Sequence, residues 1–115
     1  MQTFVQERDG DLLVVRADGG LNRDTANQLI EEVGTHVQAG ARAIIVDCSH
    51  LSIISSAGIG TLLRLHGAMK ARGAIVRLAG LHGFVAQALQ LMRLDGVFEL
   101  FPDVNAARLA FRPKT

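Results

Sequence analysis

Two adjacent serines, Ser55 and Ser56, stand in the stretch of the chain whose residue types are best suited to chemistry. They are followed by Ala57, Gly58 and Gly60, which have almost no side chain. Small residues would let a partner surface approach the backbone closely. If a helix begins here, its unpaired N–H groups would also favour a nearby anion. The pattern predicts either a hydroxyl that another molecule recognises or a simple helix cap.

The cap is the simpler explanation of Ser56. Serine is a preferred N-cap because its side-chain oxygen accepts a hydrogen bond from the first turn, and such a cap contributes about 1 kcal/mol. Short motifs often match by chance. From spacing alone we therefore favour the cap over a functional serine.

The apolar pattern that must position these serines changes period several times along the chain. A hairpin turns at Asp9-Gly10, and strands then alternate with helices. The predicted strands after the hairpin lie at residues 43–46, 75–79 and 97–100, and the predicted helices at about 26–37, 56–72, 84–92 and 104–111. The order β-β-α-β-α-β-α-β-α predicts an α/β fold. A mixed, mostly parallel sheet would carry the N-terminal hairpin and about four helices.

Individual residues refine this outline. The β-branched run at 43–46 predicts a strand buried on both faces. Asn22 or Asp24 is expected to cap the first helix, and Asp103 the last. The strand at 97–100 is expected to lie at a sheet edge. No composition shift marks a linker, so we expect one domain over residues 1–115.

Composition excludes several classes of function. The 115 residues carry 12 basic and 11 acidic side chains, a net charge of +1, which argues against a nucleic-acid partner. No run of 18 apolar residues predicts insertion into a membrane, and the charged N-terminus is not typical of a signal peptide. The single Cys48 cannot form an internal disulfide and is expected to be a small buried apolar residue. We therefore expect a cytoplasmic protein.

Other polar residues suggest weaker alternatives. Asp47 ends a predicted buried strand, as the phosphoacceptor of a receiver domain does, but no acidic pair is available to hold Mg²⁺. We expect its carboxylate to organise the following loop by accepting backbone N–H bonds. His66 falls on an apolar helix stripe and is expected to be a satisfied, partly buried side chain. No spacing predicts a metal site or a serine–histidine–acid triad.

Residues 44–63, which read Ile-Ile-Val-Asp-Cys-Ser-His-Leu-Ser-Ile-Ile-Ser-Ser-Ala-Gly-Ile-Gly-Thr-Leu-Leu, resemble the signature of STAS domains. The resemblance is to the bacterial anti-sigma factor antagonists in particular. It extends to Gly20-Leu21-Asn22, to Gly73 and to residues 94–98, and so covers nearly the whole chain. It implies the STAS fold and a regulatory, non-enzymatic role.

In this family the acceptor serine lies two positions before the motif glycine, which here makes Ser56 the implied phosphorylation site. Ser55 is a fallback acceptor, because the family often has Asp at that position. The resemblance implies that the unphosphorylated chain binds an anti-sigma factor serine kinase and so frees a sigma factor. A serine phosphatase would reset the cycle. The chain itself would need no cofactor, since ATP and Mg²⁺ belong to the kinase.

The partner is expected to dock on the loop at residues 52–60, on the start of the second helix and on the loop at residues 21–24. The expected contact residues are Leu21, Asn22, Asp24, Ser52, Ile54, Ser55, Ala57, Gly58, Gly60 and Thr61. The alternative function is a STAS adaptor subunit of a lipid-transport or stress-signalling complex, which is never phosphorylated. In that case Ser56 is only a cap.

Overall fold

A computed structural model describes residues 3–111 of the chain. The strands are β1 (Thr3–Asp9), β2 (Leu12–Ala17), β3 (Gly19–Leu21), β4 (Ala43–Asp47), β5 (Leu51–Ile54), β6 (Ile75–Ala79) and β7 (Glu99–Phe101). The helices are α1 (Arg23–Gln38), α2 (Ser56–Ala71), α3 (Gly83–Leu91) and α4 (Val104–Ala110), with a 3₁₀ turn at Leu94–Gly96. Within this range no helix combines the length and apolar character that crossing a bilayer requires.

Five strands form the main sheet, in the order β1-β2-β4-β6-β7. β1 and β2 are antiparallel and every other pair in this sheet is parallel. The hairpin turns at Gly10, whose φ of 59° suits a residue without a Cβ. The predicted fold class, the opening hairpin and the parallel core are confirmed.

The two faces of the sheet are covered unequally, because side chains alternate across each strand. Helices α1, α2 and α3 pack on one face over residues such as Leu13, Ile44 and Leu78. Among residues 3–111, α4 is the one helix on the other face, where Ala107 and Ile45 belong to one apolar cluster. All five residues of β4 are buried, which confirms a central strand covered on both sides.

Side-chain caps fix where the first and last helices begin. Asn22 caps α1 in a capping box with Thr25, so Asp24 is not the cap but lies in the first turn. Asp103 caps α4, as predicted, by accepting a hydrogen bond of 2.8 Å from the Ala106 N–H. These caps satisfy N–H groups that the helices cannot satisfy internally.

The structure contains two strands that the sequence did not predict. β3 and β5 form a separate two-stranded parallel sheet. The three residues of β3 include two glycines, and β5 has only four residues, so neither carries a readable alternation of apolar and polar positions. Each strand is stabilised by the other rather than by its own composition.

The last strand is displaced from its predicted position. β7 covers Glu99–Phe101 rather than residues 97–100, and it lies at the predicted sheet edge. The 3₁₀ turn precedes it, and Phe98 points into the core at 2% exposure. Phe98 was predicted to belong to a strand, but its large apolar side chain instead packs in the core beneath α2.

His66 packs its ring edge-on against Phe98, with ring centroids 5.1 Å apart. Its Nδ1 is buried and has no hydrogen-bond partner among the described residues. The predicted partial burial is right, but the prediction of a satisfied side chain is wrong. Ring packing, rather than hydrogen bonding, fixes this histidine.

Cys48 is buried at 2% exposure, as predicted. Burial, with a smaller effect from the Asp47 charge, raises the pKa of its thiol from 9.0 to about 12. The thiol therefore stays neutral in the folded chain at pH values where it would ionise in the unfolded chain.

This raised pKa predicts a loss of stability at alkaline pH. Below about pH 8 the thiol is neutral in both the folded and the unfolded chain, so its ionisation should not affect the free energy of unfolding. Between about pH 9 and 12 it should fall relative to a Cys48→Ala variant, with a slope approaching roughly 1.4 kcal/mol per pH unit. Urea unfolding of both proteins across this range measures the difference. Parallel pH profiles would contradict the prediction.

Candidate functional site

The predicted site lies where two loops are tied together by the small sheet. β3 leads into α1 and β5 leads into α2, so the two helices begin side by side. The Ser55 N–H donates to the Leu21 carbonyl at 2.9 Å, which joins the start of α2 to the end of β3. The Ser52 hydroxyl donates to the Gly19 carbonyl at 3.1 Å. The two loops therefore form one surface.

Gly58 is required by the close approach of these two segments. A Cβ on Gly58 would lie 2.8 Å from the Leu21 carbonyl carbon and closer still to its oxygen. At this position the backbone is approached by the chain itself, not by a partner as the sequence suggested. Gly60, two residues later, lies on the opposite side of the helix, where a Cβ would meet nothing, and it remains accessible.

The two serines have different roles in the structure. The Ser55 side-chain oxygen accepts a hydrogen bond of 3.0 Å from the Gly58 N–H, so Ser55 is the N-cap of α2. The interpretation of Ser56 as the cap is wrong. Ser56 is the first residue of the helix, its side chain is exposed, and its hydroxyl makes no hydrogen bond within residues 3–111.

The electrostatic setting at Ser56 can accept negative charge. Ser55 satisfies one N–H of the first turn, and within the described chain the Ser56 and Ala57 N–H groups have no acceptor. The first turn of α2 contains no acidic residue. An anion on the Ser56 side chain would thus meet the positive end of the helix dipole.

Thr61 and Arg64 form a short chain of hydrogen bonds near the start of the same helix. The Thr61 hydroxyl donates to the Ala57 carbonyl at 2.8 Å, and Arg64 Nη2 donates to the Thr61 oxygen at 3.0 Å. Thr61 is only 1% exposed. It therefore supports the site from within, and Arg64, which is exposed, donates to it from the outer side.

The structure brings all the expected contact residues to one region, but at different depths. The exposed members are Asn22, Asp24, Ser52, Ser55, Ala57 and Gly60. The buried members are Leu21, Ile54, Gly58 and Thr61. A partner can touch the side chains of the first group directly, whereas the second group shapes the surface beneath them.

Ile53 belongs to this surface and lies within the predicted loop at residues 52–60, although its neighbour Ile54 is the one expected to contact the partner. Its side chain is 60% exposed and lies over Gly20, where a Cβ would come within 2.9 Å of Ile53 Cγ2. Successive side chains in a strand point to opposite faces. Once β5 is known to be a strand, the pair Ile53-Ile54 requires one of them to face outward.

Asp47 is the last residue of β4, directly before the loop that leads to β5. Its Oδ1 accepts a hydrogen bond of 3.0 Å from the Ser49 N–H, and the residue is 7% exposed. Asp18, the acid after β2, pairs with Arg16 at 2.7 Å. Across the part of the chain that the structure describes, no three His, Cys, Asp or Glu residues are grouped to hold a metal.

Gly58 and Gly60, the two glycines near the start of α2, provide a matched test of the packing. Gly58→Ala should lower the free energy of unfolding by about 1–3 kcal/mol, because the new methyl would overlap the Leu21 carbonyl group. Gly60→Ala should raise it by about 1 kcal/mol, because its methyl meets nothing and alanine is the better helix former. Chemical denaturation measures both. Equal effects of the two substitutions would show that the loops are not in close contact.

Comparison with known proteins agrees with this geometry. The family model described as the STAS domain matches residues 3–107. BtrV of Bordetella bronchiseptica, whose name describes an anti-sigma factor antagonist, is 28% identical over 115 residues, covering 97% of this chain and 96% of that protein.

Solved structures share the fold. An anti-sigma factor antagonist from Mycobacterium paratuberculosis superimposes with a TM-score of 0.82 at 24% identity, over 97% of this chain and 94% of that one. The Bacillus protein SpoIIAA superimposes with TM-scores of 0.77 unphosphorylated and 0.73 phosphorylated, at 18% and 20% identity. These matches cover 98% and 96% of this chain and 100% of SpoIIAA. From the family model that spans nearly all of its length, the chain belongs to the STAS domain family.

Proposed function

We propose that this chain is an anti-sigma factor antagonist that is switched by phosphorylation of Ser56. In its unmodified form it binds an anti-sigma factor serine kinase and frees the sigma factor. One observation carries the proposal: the Ser56 hydroxyl is exposed and unbonded within the described residues, on a surface built from two tied loops. The name of the relative BtrV supports the same function.

The hydrogen bonding favours Ser56 over Ser55 as the acceptor. Ser55 uses its oxygen to cap α2, so a kinase acting on it would have to take that oxygen from its hydrogen bond with the Gly58 N–H. Ser56 can carry a phosphate without losing any interaction of the folded chain. A kinase could therefore reach Ser56 with α2 intact.

A phosphate on Ser56 should block binding and leave the fold unchanged. It adds about −1.5 to −2 charges, which the helix N-terminus stabilises by roughly 0.3–1 kcal/mol. Inside an interface the same charge would cost several kcal/mol when it is desolvated or faces like charge. The interface effect is the larger. SpoIIAA, solved with and without its phosphate, provides a STAS precedent for both states.

The chemistry of the cycle would belong to other proteins. The kinase would supply ATP and Mg²⁺, and a serine phosphatase would remove the phosphate. This chain contributes the acceptor hydroxyl and the docking surface, so it acts as a regulatory protein and not as an enzyme. Because sigma factors act on transcription, we place the cycle in the cytoplasm.

Phosphorylation should depend on Ser56 alone. Incubated with ATP and the kinase-type anti-sigma factor encoded nearest to it, the chain should gain one phosphate, measured by intact mass. Ser56→Ala should gain none. Ser55→Ala should still gain one, although loss of the cap should lower its stability by about 1 kcal/mol.

Other outcomes assign the site differently. A phosphate that persists in Ser56→Ala and disappears in Ser55→Ala would make Ser55 the acceptor. No phosphate on the wild-type chain, with binding to another partner retained, would favour the unphosphorylated adaptor.

A permanent negative charge should mimic the modified state. Ser56→Asp should bind the anti-sigma factor about 1,000-fold more weakly than the wild type, which corresponds to roughly 4 kcal/mol. Its thermal midpoint should not fall, because an acidic residue is favourable in the first turn of a helix. Titration calorimetry and thermal unfolding measure the two properties. Wild-type affinity in Ser56→Asp would refute the switch.

A further inference from the structure

Three large apolar side chains are exposed on or just after α3, beside the exposed amides of Gln87 and Gln90. Phe84 is 64% exposed, Leu91 86% and Met92 52%, so three of the eight large apolar side chains exposed in residues 3–111 lie at this one helix. Phe84 and Leu91 are seven residues apart and share a side of the helix. The helix itself, Gly83–Leu91, contains no charged residue. Grouped exposed apolar residues of this kind mark interaction surfaces.

This surface continues from the Ser56 site. α3 packs beside β5, and the His82 Nε2–H donates to the Ser49 carbonyl at 2.8 Å, which fixes the start of α3 to the loop before β5. Ile53 is exposed on β5, three residues before Ser56, and β5 is the strand beside which α3 packs. A protein that docks on Ser56 can therefore extend across β5 onto α3 without leaving the surface.

The exposed residues expected at the Ser56 site are too small to hold a partner by themselves. Asn22, Asp24, Ser52, Ser55, Ala57 and Gly60 include no large apolar side chain. A specific interface buries about 800 Å² on each partner and draws most of its energy from a few large, buried anchors. To bind a partner tightly, the site therefore needs large apolar side chains from neighbouring elements of the fold.

We propose that Ile53 and Phe84 are the apolar anchors for the anti-sigma factor, with Leu91 extending the contact along α3. This inference rests on the proposed function and specifies its partner. The anti-sigma factor must present an uncharged, apolar surface opposite α3, next to the polar surface that receives Ser56. Burying α3 would desolvate no charged side chain of its own, since it has none.

Two other occupants fit the observations less well. A second copy of the chain, docked through α3 alone, would bury a helix only about 14 Å long, which is small against the area that a stable dimer needs. A membrane surface would be expected to contact a helix with lysines and arginines beside its apolar side, and α3 has none.

The test compares three exposed apolar positions. Phe84→Gln and Ile53→Thr should weaken binding of the unphosphorylated chain to the anti-sigma factor by roughly 10- to 100-fold, mainly through faster dissociation. Leu109→Gln is the matched control, because Leu109 is also 60% exposed but lies on α4, across the sheet. Its affinity should equal that of the wild type. Biosensor kinetics measure all four proteins.

Ser56 phosphorylation at saturating kinase separates this proposal from the one on which it rests. The Phe84 and Ile53 variants should still gain a phosphate, since their hydroxyl is intact. If both bind like Leu109→Gln, the anchors are wrong while the switch stands. If the wild type neither binds the anti-sigma factor nor is phosphorylated, both proposals fail. Self-association that is lost in Phe84→Gln, with unchanged affinity for the anti-sigma factor, would assign α3 to a second copy and overturn the proposal.

Discussion

The hydrogen bond from Ser55 to the Leu21 carbonyl is the contact on which the rest of the site depends. It holds the start of α2 against the end of β3, and the missing side chain of Gly58 allows the two backbones to meet. With this contact in place, Ser55 can turn its oxygen back to cap the helix. Ser56 is then left facing outward, and its hydroxyl makes no hydrogen bond to any other described residue.

The sequence predicted the parts of the fold that have a strong local signal. The β-branched run of β4, the amphipathic helices, the turn at Gly10 and the cap Asp103 were read from residue types and spacing. The small sheet of β3 and β5 was missed because its strands are short and its stabilisation comes from pairing between distant segments. Phe98 illustrates the same difficulty, since its apolar character did not reveal whether it belonged to a strand or closed the core.

The sequence predicted which residues lie together around Ser56, but not how deeply each is buried; their role as a binding site stays a prediction. Resemblance to the STAS family indicated the segment around Ser56, and the structure brings the expected residues together there. The sequence could not show whether Ser55 or Ser56 caps the helix, because both are serines and both lie at its expected start. It also could not show that Leu21 and Thr61 are buried while Ile53 is exposed, since these facts depend on how β5 pairs. How deeply each side chain is buried depends on tertiary packing, which the order of residue types along the chain does not show.

The pairing of β3 with β5 in a sheet of their own has an evolutionary consequence. Leu21, Leu51 and Ile54 of these two strands belong to the main core, whereas Ser52 and Ile53 are exposed. The exposed side chains can therefore be exchanged without altering the ladder of the five-stranded sheet. Related chains could then differ in what this small sheet presents to solvent and still share one interior.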